Sequence, residues 1–518
     1  MFKLIICVKI IQQNQKITVI CKVLRASLIT IIIILFFSCK KEKFKTDSSA
    51  QLRFTADTVY FDTVFTTLGS STRNIRVINP YNNKLKISSL RFETGTSSQF
   101  IINVDGAQGK EFKDIEIAAK DSIYIFIQVN VNPLAANSPL VIRDKLIFET
   151  NGNTQVIHLE AWGQNAYYHR ATAAIKFKDG TYFPYSIVGQ LSNAYTGSGN
   201  NYTLKTDKPH VVFGYLVVDS AQKLLVPAGS KFFMSYKAGL WVFSDGEIKI
   251  KGTLGNEVTF NSTRTEPEFY NEPGQWDRIW INEGSTGNEI DYAIIKNGFV
   301  GVQAELTANS GTLTLNKPRR LKITNTQIHN MSLWGLYAFA YNIYGYNNVI
   351  SNCKDNGLNI SFGGNYTFLH CTFANYFEKG DKPRESANVN ISNYYEDLVL
   401  PMDTCYFGNC IIDGKLTNEL NIDLKTNTSY TPSVQFSSCW LKTNLNLSDV
   451  NRFNNVRTGN SITFINAANF NFKPQTGENS FLKNFTGTKT STDAAKAPFD
   501  VLGTNRNTVN VTAGAYEF

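Results

Sequence analysis

The chain of 518 residues is poor in the residue types that most metal and nucleophilic sites need. It has five histidines, scattered from position 158 to position 370, and eight cysteines. No His-Glu-x-x-His pair, Gly-rich phosphate loop or serine nucleophile turn occurs in it. We therefore expect neither a resident metal nor a cofactor, and the sequence predicts no catalytic residue.

The chain also lacks an apolar run long enough to span a membrane as a helix. Residues 27–37 form an apolar core of eleven residues preceded by cationic residues, which is typical of a signal peptide. The stretch Leu35 to Cys39 resembles a bacterial lipobox. We interpret residues 1–38 as a lipoprotein signal peptide, Cys39 as the lipid-bearing residue and residues 39–50 as a tether. An uncleaved N-terminal membrane anchor is the alternative.

Basic residues are not concentrated in the body of the chain. The formal charge is +9, but five cations precede Cys39, and the tether adds Lys40, Lys41, Lys43 and Lys45 against Glu42. The remainder is close to neutral, so nucleic-acid binding is not expected. Five cysteines follow Cys39, and an odd number argues against a complete disulfide framework.

A short motif recurs in the second half of the chain: a smaller residue, any residue, a bulky apolar residue, any residue, then usually Asn. Such a repeat of about 22 residues with insertions indicates a solenoid, because propeller repeats are longer and a leucine-rich horseshoe needs a leucine framework. The copies are Ala293-Ile295-Asn297, Thr326-Ile328-Asn330, Asn348-Ile350-Asn352, Cys371-Phe373-Asn375, Cys405-Phe407-Asn409 and Ile462-Phe464-Asn466, with a degenerate Val434-Phe436-Ser438.

Residues two apart in a strand point to the same side, so the repeated residues are expected to face the interior in one rung per repeat. Asn tolerates left-handed backbone angles and suits the corner that ends a strand. We predict that the corner amides stack as a ladder. The predicted ladder residues are Asn297, Asn330, Asn352, Asn375, Asn409 and Asn466.

Two stretches strengthen this interpretation by resemblance. Residues 249–260 and 274–281 resemble the first coils of bacterial right-handed β-helix lipoproteins, and the chain end is similar to a closing motif of that family. The resemblance covers roughly residues 170–518 and implies a right-handed parallel β-helix, which we assign to residues 206–518. It implies little about activity, since the family includes lyases and adhesins. The closing-motif residues are Asp500, Gly503, Arg506, Gly514, Ala515, Tyr516 and Glu517.

Residues 51–165 follow a different pattern. Short alternating strands separated by Asn-Pro and Asn-Gly turns predict an immunoglobulin-like β-sandwich, which we expect to act as a spacer. The aromatic and Gly-rich residues 166–205 are interpreted as a linker and cap that protects the first coil. The fold class predicted is therefore all-β, with a sandwich followed by a solenoid.

Candidate functional residues are sparse. The long insertion Tyr376 to Pro401 predicts a loop on a solenoid face, where binding usually resides. Trp276 and Trp280 are expected to pack against the cap, and a zinc site from His370, Cys405 and Cys410 competes with simple packing of these residues. The predicted glycan-binding residues are Phe377, Tyr394, Tyr395, Glu396 and Asp397.

These features predict an outer-membrane lipoprotein of the cell envelope, periplasmic or surface-exposed, whose solenoid surface binds polysaccharide or another envelope component without catalysis. Two alternatives stay open: a polysaccharide lyase or glycoside hydrolase on the same scaffold, and a structural spacer. The membrane, through the lipid anchor, is one predicted partner. The sequence does not determine the oligomeric state.

Overall fold

The computed structural model describes residues 43–518 except 67, 133–139, 177–179, 310–311, 314, 427–429 and 460. The signal peptide and Cys39 lie outside the described residues. The chain is predominantly β with long parallel sheets, as predicted. It divides into two compact units, the first ending at Gln164 and the second beginning at Asn165.

The first unit consists of two five-stranded sheets that enclose one hydrophobic cluster. Phe61, Phe92, Phe100 and Phe148 are its largest members, each almost completely buried. The sheet orders are β1-β3-β8-β5-β6 and β2-β10-β9-β4-β7. The strands are β1 (Arg53–Phe54), β2 (Thr58–Phe65), β3 (Arg73–Ile78), β4 (Leu85–Phe92), β5 (Phe100–Val104), β6 (Ala107–Gly109), β7 (Glu111–Ile117), β8 (Ser122–Val129), β9 (Leu140–Thr150) and β10 (Asn153–Gln164).

The described residues of the second unit form 35 strands, β11 to β45. Its first strands are β11 (Tyr167–Arg170), β12 (Ala173–Lys176), β13 (Tyr182–Ile187), β14 (Tyr195–Ser198), β15 (Asn201–Leu204), β16 (His210–Phe213), β17 (Tyr215–Val218), β18 (Lys223–Pro227), β19 (Lys231–Met234), β20 (Gly239–Val242), β21 (Glu247–Lys251), β22 (Val258–Ser262), β23 (Ile279–Ile281), β24 (Asn288–Asp291), β25 (Ala293–Lys296), β26 (Val302–Glu305), β27 (Ala308–Asn309), β28 (Thr312–Leu313) and β29 (Arg320–Thr324). The later strands are β30 (Gln327–Met331), β31 (Leu336–Tyr346), β32 (Val349–Cys353), β33 (Leu358–Leu369), β34 (Thr372–Asn375), β35 (Val389–Ser392), β36 (Tyr394–Tyr395), β37 (Leu398–Val399), β38 (Cys405–Gly408), β39 (Ile411–Gly414), β40 (Leu420–Asp423), β41 (Val434–Ser437), β42 (Trp440–Leu441), β43 (Phe453–Asn454), β44 (Phe464–Asn466) and β45 (Asn471–Pro474).

Successive turns of this second unit stack in parallel and define three faces, as in a β-helix-like solenoid. The first face is a ten-stranded sheet, β11-β16-β19-β22-β25-β30-β32-β34-β39-β42. The second face contains β17, β20, β23, β26, the start of β31 and β33, β35 and β40. The third face contains β18, β21, β24, β29, the end of β31 and β33, β38 and β41.

The second and third faces belong to one nineteen-stranded sheet because two strands run through the corner between them. In β31 and β33 the chain bends at Ala340 and Phe362, whose φ angles of 50° and 66° are left-handed. Neither corner interrupts the strand, so each of these long strands contributes to both faces. A positive φ in a non-glycine residue is costly, and it persists here because the packed rungs on either side hold the bend.

Inward-pointing apolar side chains form columns along the solenoid axis. Ile295 pairs with Ile328, Ile328 with Ile350, and Ile350 with Phe373. These four side chains are fully buried. Buried rings stack in the same way, as Phe232 does on Phe260 with centroids 4.7 Å apart and planes 6° apart. The repeat therefore forms the interior column that its periodicity predicts.

Not all copies of the motif lie in this column. The partner of Phe373 is Ile412, whereas Phe407 pairs with Phe368 and Phe436 on the third face. The last copy, at Phe464, lies in an antiparallel hairpin outside the stack. Every strand of a turn ends at a corner, so an inward pair followed by a corner residue recurs on more than one face. The sequence motif does not distinguish between these faces.

Asn residues occupy several corners in the left-handed conformation, with φ of 66° at Asn297, 61° at Asn330, 50° at Asn352 and 56° at Asn409. Hydrogen bonds connect the side-chain amides of Asn330, Asn297 and Asn261. Asn330 Nδ2 donates to Asn297 Oδ1 at 2.7 Å, and Asn297 Nδ2 donates to Asn261 Oδ1 at 3.0 Å. The other predicted ladder residues bond different groups. Asn352 donates to Ala467 O, Asn375 to Cys353 O, Asn409 bonds His370 Nε2 and Thr490 O, and Asn466 caps the 3-10 turn at Ala467–Asn469.

Residues 166–205 contribute strands to the same sheets. β11 pairs in parallel with β16 on the first face, β13 with β17 and β15 with β18. At this end of the solenoid, His169 and His210 are buried with Nε2 and Nδ1 2.9 Å apart. Burial, and for His169 also the neighbouring His210, lowers the pKa of both rings, that of His210 to about 4.

The C-terminal cover, residues 462–518, packs on the outside of the first face. It contains β44, β45 and the helix α1 (Thr488–Lys496), and its buried residues include Phe472, Leu482 and Phe485. Residues of the closing motif attach it to the turns: Arg506 Nη2 donates to Asn347 Oδ1 at 2.7 Å, Gly514 N to Asn409 O and Ala515 N to Thr372 Oγ1.

Candidate functional site

The three outer faces of the solenoid differ in what covers them. On the first face the outward residues Val349, Ile411 and Trp440 are at most 2% exposed because the C-terminal cover packs on them. On the third face the outward charges are paired, with Glu289 Oε2 2.6 Å from Lys251 Nζ and Oε1 2.9 Å from Lys322 Nζ. The second face has partly exposed rings in its first rungs and a neighbouring pocket. The first face is open in its earlier turns, where Phe233 and Ile294 line another pocket of about 450 Å³.

Successive outward residues of the second face form one column. Register pairs connect Trp241 to Trp280, Trp280 to Gln303 and Gln303 to Tyr337. The column continues through Asn359, Asn390 and Asn421. Trp241, Trp280 and Tyr337 are half-buried. The face is therefore aromatic in its first rungs and rich in amides in its last.

A pocket of about 600 Å³ opens beside the first rungs of this column. We call it the aromatic pocket. Three of its lining rings are strongly exposed: Tyr236 at 73%, Tyr182 at 66% and Phe299 at 40%. Exposed rings at the rim of a concave site are the usual platforms for apolar ligand surfaces, and a tyrosine adds a hydroxyl to the contact.

The floor of the aromatic pocket is charged. Arg278 Nε lies 2.8 Å from Asp277 Oδ1, Tyr215 OH donates to Asp277 Oδ2, and Arg278 Nη1 donates to Gln303 on the neighbouring rung. Burial and the nearby Asp277 carboxylate raise the pKa of Tyr215, so its hydroxyl stays a donor. Lys237 also lines the pocket. Donors and acceptors fixed in this way can bond a polar ligand between the rings.

Aromatic contacts connect the pocket to the column. Phe183 stacks on Tyr215 with centroids 4.3 Å apart and meets Trp241 edge-on at 5.4 Å. Trp241 and Trp280 stack at 4.8 Å with planes 10° apart. The contact of Phe183 with Trp280 joins the segment predicted as a cap to this tryptophan, whereas Trp276 lies in the wall of the pocket.

Glu305, a carboxyl group with a raised pKa, also points outward on the second face. Glu305 Oε1 accepts from Trp280 Nε1 at 2.8 Å, and its other oxygen accepts from Gln303 Nε2 at 2.5 Å. Burial raises the pKa of Glu305, and the bonds from Gln303 and Trp280 act in the opposite direction. A carboxyl group that keeps its proton to higher pH can act as a donor or a general acid.

Four of the five predicted glycan-binding residues lie in one hairpin, and Phe377 lies apart from them. Tyr395 lies in the β36–β37 hairpin and packs edge-on against Phe339 and Phe362, at 6.1 and 6.2 Å. Tyr394 OH bonds Asp423, and Glu396 and Asp397 are exposed at the hairpin turn. The hairpin thus borders the second face near Tyr337. Phe377 is 7% exposed and offers almost no surface.

A second pocket, the polar pocket, lies at the far end of the column. It measures about 760 Å³, and its lining includes Asn356, Asn390, Asn418, Asn421, Glu385 and Lys415. A buried ion pair lies behind its walls, with Arg384 Nη2 2.5 Å from Glu419 Oε1 and Nη1 2.8 Å from Oε2. Burial raises the pKa of Glu419, and the Arg384 bond opposes that shift.

The cysteines and histidines considered for a metal lie in the interior. Cys405 and Cys410 are buried free thiols whose pKa burial raises, and His370 Nε2 bonds the Asn409 amide. Within the described residues no group of three His, Cys, Asp or Glu side chains could hold a metal ion. In the same residues no helix has the length and apolarity to cross a membrane.

Sequence reasoning identified Arg278 and Trp280 through a fold motif, but missed Tyr236, Phe299 and the polar pocket. Tyr236 follows β19 and Phe299 precedes β26, in short connections with no distinctive pattern. Only stacking of the turns brings them to Arg278. The signal in the sequence was weak: exposed aromatic residues in loops between alternating strands.

No known protein family and no curated protein matches the sequence. Solved structures that match do so over part of the chain. A protein of unknown function from Porphyromonas gingivalis W83 is 12% identical, with 24% of this chain and 50% of that chain covered and a TM-score of 0.18. A family 123 glycoside hydrolase from Clostridium perfringens is 8% identical, with 22% and 25% covered and a TM-score of 0.16. A PapD-like domain of human CEP192 is 7% identical, with 25% and 94% covered and a TM-score of 0.16. The chain spans half or less of the first two, and this low likeness assigns neither fold nor activity.

Proposed function

We propose that the protein is a lipid-anchored component of the bacterial cell envelope that binds glycan on the second face of a right-handed parallel β-helix, without catalysis. The immunoglobulin-like unit acts as a spacer between the anchor and the binding unit. The aromatic pocket carries this proposal, because exposed Tyr236, Tyr182 and Phe299 rings surround the Asp277–Arg278 pair. Rings contact the apolar sides of a sugar, and charged groups bond its hydroxyls.

Glycan-array binding tests the proposal directly. We expect wild-type protein to bind, and Arg278→Ala and Tyr236→Ala each to weaken binding by tenfold or more, as the loss of a charge-assisted hydrogen bond or a ring contact implies. Tyr60→Ala is the matched control, because Tyr60 is 63% exposed in the first unit. If wild type binds no glycan, the spacer alternative replaces this proposal. Equal loss in Tyr236→Ala and Tyr60→Ala would exclude the aromatic pocket.

The anchor is tested separately. Cys39→Ser removes the thiol that would carry lipid, so the variant should move from the detergent-rich to the aqueous phase when cells are fractionated. Wild type and a Ser38→Ala variant should stay with the detergent. A wild type that partitions into the aqueous phase contradicts the anchor but leaves the glycan-binding proposal intact.

A glycan-cleaving enzyme is the second candidate, favoured by one observation. Glu305 lies beside Trp280 on the partly exposed face, and burial raises its pKa, which suits a general acid. Glu305→Gln should then retain glycan binding and lose product release. If purified wild type releases no product from the glycans that it binds, this candidate fails.

A further inference from the structure

The aromatic and polar pockets lie at the two ends of one column of outward side chains. Trp241, Trp280, Gln303, Tyr337, Asn359, Asn390 and Asn421 are successive register partners. Phe183 and Arg278 of the aromatic pocket contact the first rungs, and Asn390 and Asn421 line the polar pocket. Seven rungs about 4.8 Å apart span about 29 Å. Gln303 and Asn359 are only 6% and 8% exposed, so a long, straight ligand on this face would contact mainly the rings of the first rungs, Tyr337, and the amides of Asn390 and Asn421.

The amides in the last rungs are oriented by one another. Asn421 Nδ2 donates to Asn390 Oδ1 at 2.8 Å, and Asn390 Nδ2 donates to Asn359 Oδ1 at 3.0 Å. All three amides point the same way, and the exposed Asn421 presents its carbonyl oxygen at the end of the series. An amide carries both donors and acceptors, as a sugar hydroxyl does, so this end suits a polyhydroxylated ligand.

The walls of the polar pocket are held in place by the buried Arg384–Glu419 pair. The side chains of this pair are 2% and 0% exposed. Glu419 also accepts from the backbone N–H groups of Asn388 and Leu416, and Arg384 donates to Asn375 O. The pair thus ties the segment before Asn390 to the segment before Asn421. Burial of the two charges costs solvation free energy. Because the pair fixes the walls of the pocket before a ligand arrives, less conformational entropy is lost on binding.

Two of the cations at these ends already have carboxylate partners, whereas Lys237 lies over the Tyr236 ring. Arg278 pairs with Asp277 at the aromatic end, and Lys415 pairs with Glu378 at the polar end. An acidic polymer would have to compete with these carboxylates, and the nearby Glu305 and Glu385 would repel it. An uncharged ligand meets neither cost.

We infer that the ligand is a linear, uncharged glycan that lies along the solenoid axis and reaches from the aromatic pocket to the polar pocket. This inference rests on the proposed function and specifies its ligand class. An extended hexose chain advances by about one rung spacing per sugar, so about six residues fill the path. Shorter chains occupy the aromatic end alone.

The test is an array carrying linear neutral, linear uronate-rich and branched glycans, each in lengths of two to ten residues. Wild type should bind the linear neutral series with affinity that rises to about six residues and then levels. Asn421→Leu should leave chains of two or three residues unaffected and weaken chains of six or more by roughly threefold to tenfold, the effect of one or two lost hydrogen bonds. Asn454→Leu, an exposed strand residue in β43, is the control.

The outcomes separate this inference from the proposed function. No binding to any glycan overturns both. Binding that prefers uronate-rich or branched chains, or that does not depend on length, overturns the inference and leaves glycan binding in place. Equal effects of Asn421→Leu on short and long chains, or equal effects of Asn421→Leu and Asn454→Leu, also overturn it.

Discussion

The first and second faces of the solenoid have the same parallel strand geometry, but they differ in how far their outward tryptophans are exposed to solvent. Trp440, outward on the first face, is 2% exposed and packs against Phe481 of the C-terminal cover, with ring centroids 4.4 Å apart and planes tilted by 39°. Trp280, outward on the second face, is partly exposed and stacks on Trp241. The same residue type thus stabilises one face and leaves the other available for a ligand.

This difference comes from the C-terminal cover and from the outward strand residues on which it packs. Outward aliphatic residues such as Val349 and Ile411 would expose an apolar sheet if the cover were absent. On the second face the outward positions change from rings to amides, which water solvates without help. The covered part of the first face has aliphatic residues and Trp440 on its outer side, whereas the second face has partly exposed rings and amides there.

Removing the cover should have the largest effect. Deletion of residues 462–518 exposes the outer side of the first face and removes several buried Phe and Leu side chains, each worth about 1.5–3 kcal/mol. The loss is on the order of 10 kcal/mol, and the protein should bind apolar dyes and lose its cooperative urea transition. Replacing the β36–β37 hairpin with a short Gly-Ser linker is the control and should cost little. A truncated protein with a wild-type transition would contradict the role of the cover.

The two tryptophans allow a direct comparison of the faces. Trp440→Ala should destabilise the protein by about 3–5 kcal/mol, as truncation of a buried aromatic residue does, without changing glycan affinity. Trp280→Ala should cost less, about 2 kcal/mol, because it loses two ring contacts and the hydrogen bond to Glu305 at a half-buried position, but it should weaken glycan binding at least tenfold. Urea denaturation and array binding on both variants measure this. The comparison breaks if both variants lose stability equally or if Trp440→Ala alone loses binding.

The pH dependence of unfolding tests the burial of His210 in the interior, apart from either outer face. Burial lowers the pKa of His210 to about 4 from an ordinary 6.5, so the unfolded chain binds the extra proton between these values. Stability is therefore fully present above pH 6.5 and falls as the pH decreases toward 4, by about 3 kcal/mol. Urea midpoints across this range should show the decline in wild type.

His210→Phe supplies the control for this titration. It keeps a ring that packs against Phe232 but removes the titrating group, so its stability should depend less on pH. His169 beside it is also buried and retains part of the dependence. A wild type whose stability does not change between pH 6.5 and 4 would show that water reaches these rings in the folded protein.

Particular elements show what could be predicted. The spacing of the motif predicted the column formed by Ile295, Ile328, Ile350 and Phe373. In a strand with alternating side chains, a shift of one residue would turn the apolar residues outward, so only one register buries them. The left-handed corners at Asn297 and Asn330 followed from residue type. The sequence did not predict that Phe407 lies on another face, because two inward-pointing residues also precede a corner on that face. Tyr236 and Arg278 meet only after the turns stack.

The sequence by itself determined that the chain is β-rich, that its second half repeats, and which apolar residues face inward, because alternation and turn chemistry are local. Tertiary structure alone decided which outer face is covered, which aromatic residues converge on Asp277 and Arg278, and which acids are buried in ion pairs. These depend on contacts between residues far apart in the chain, such as Arg506 with Asn347 and Arg384 with Glu419. No local pattern encodes such contacts, since either partner alone resembles an ordinary solvated residue.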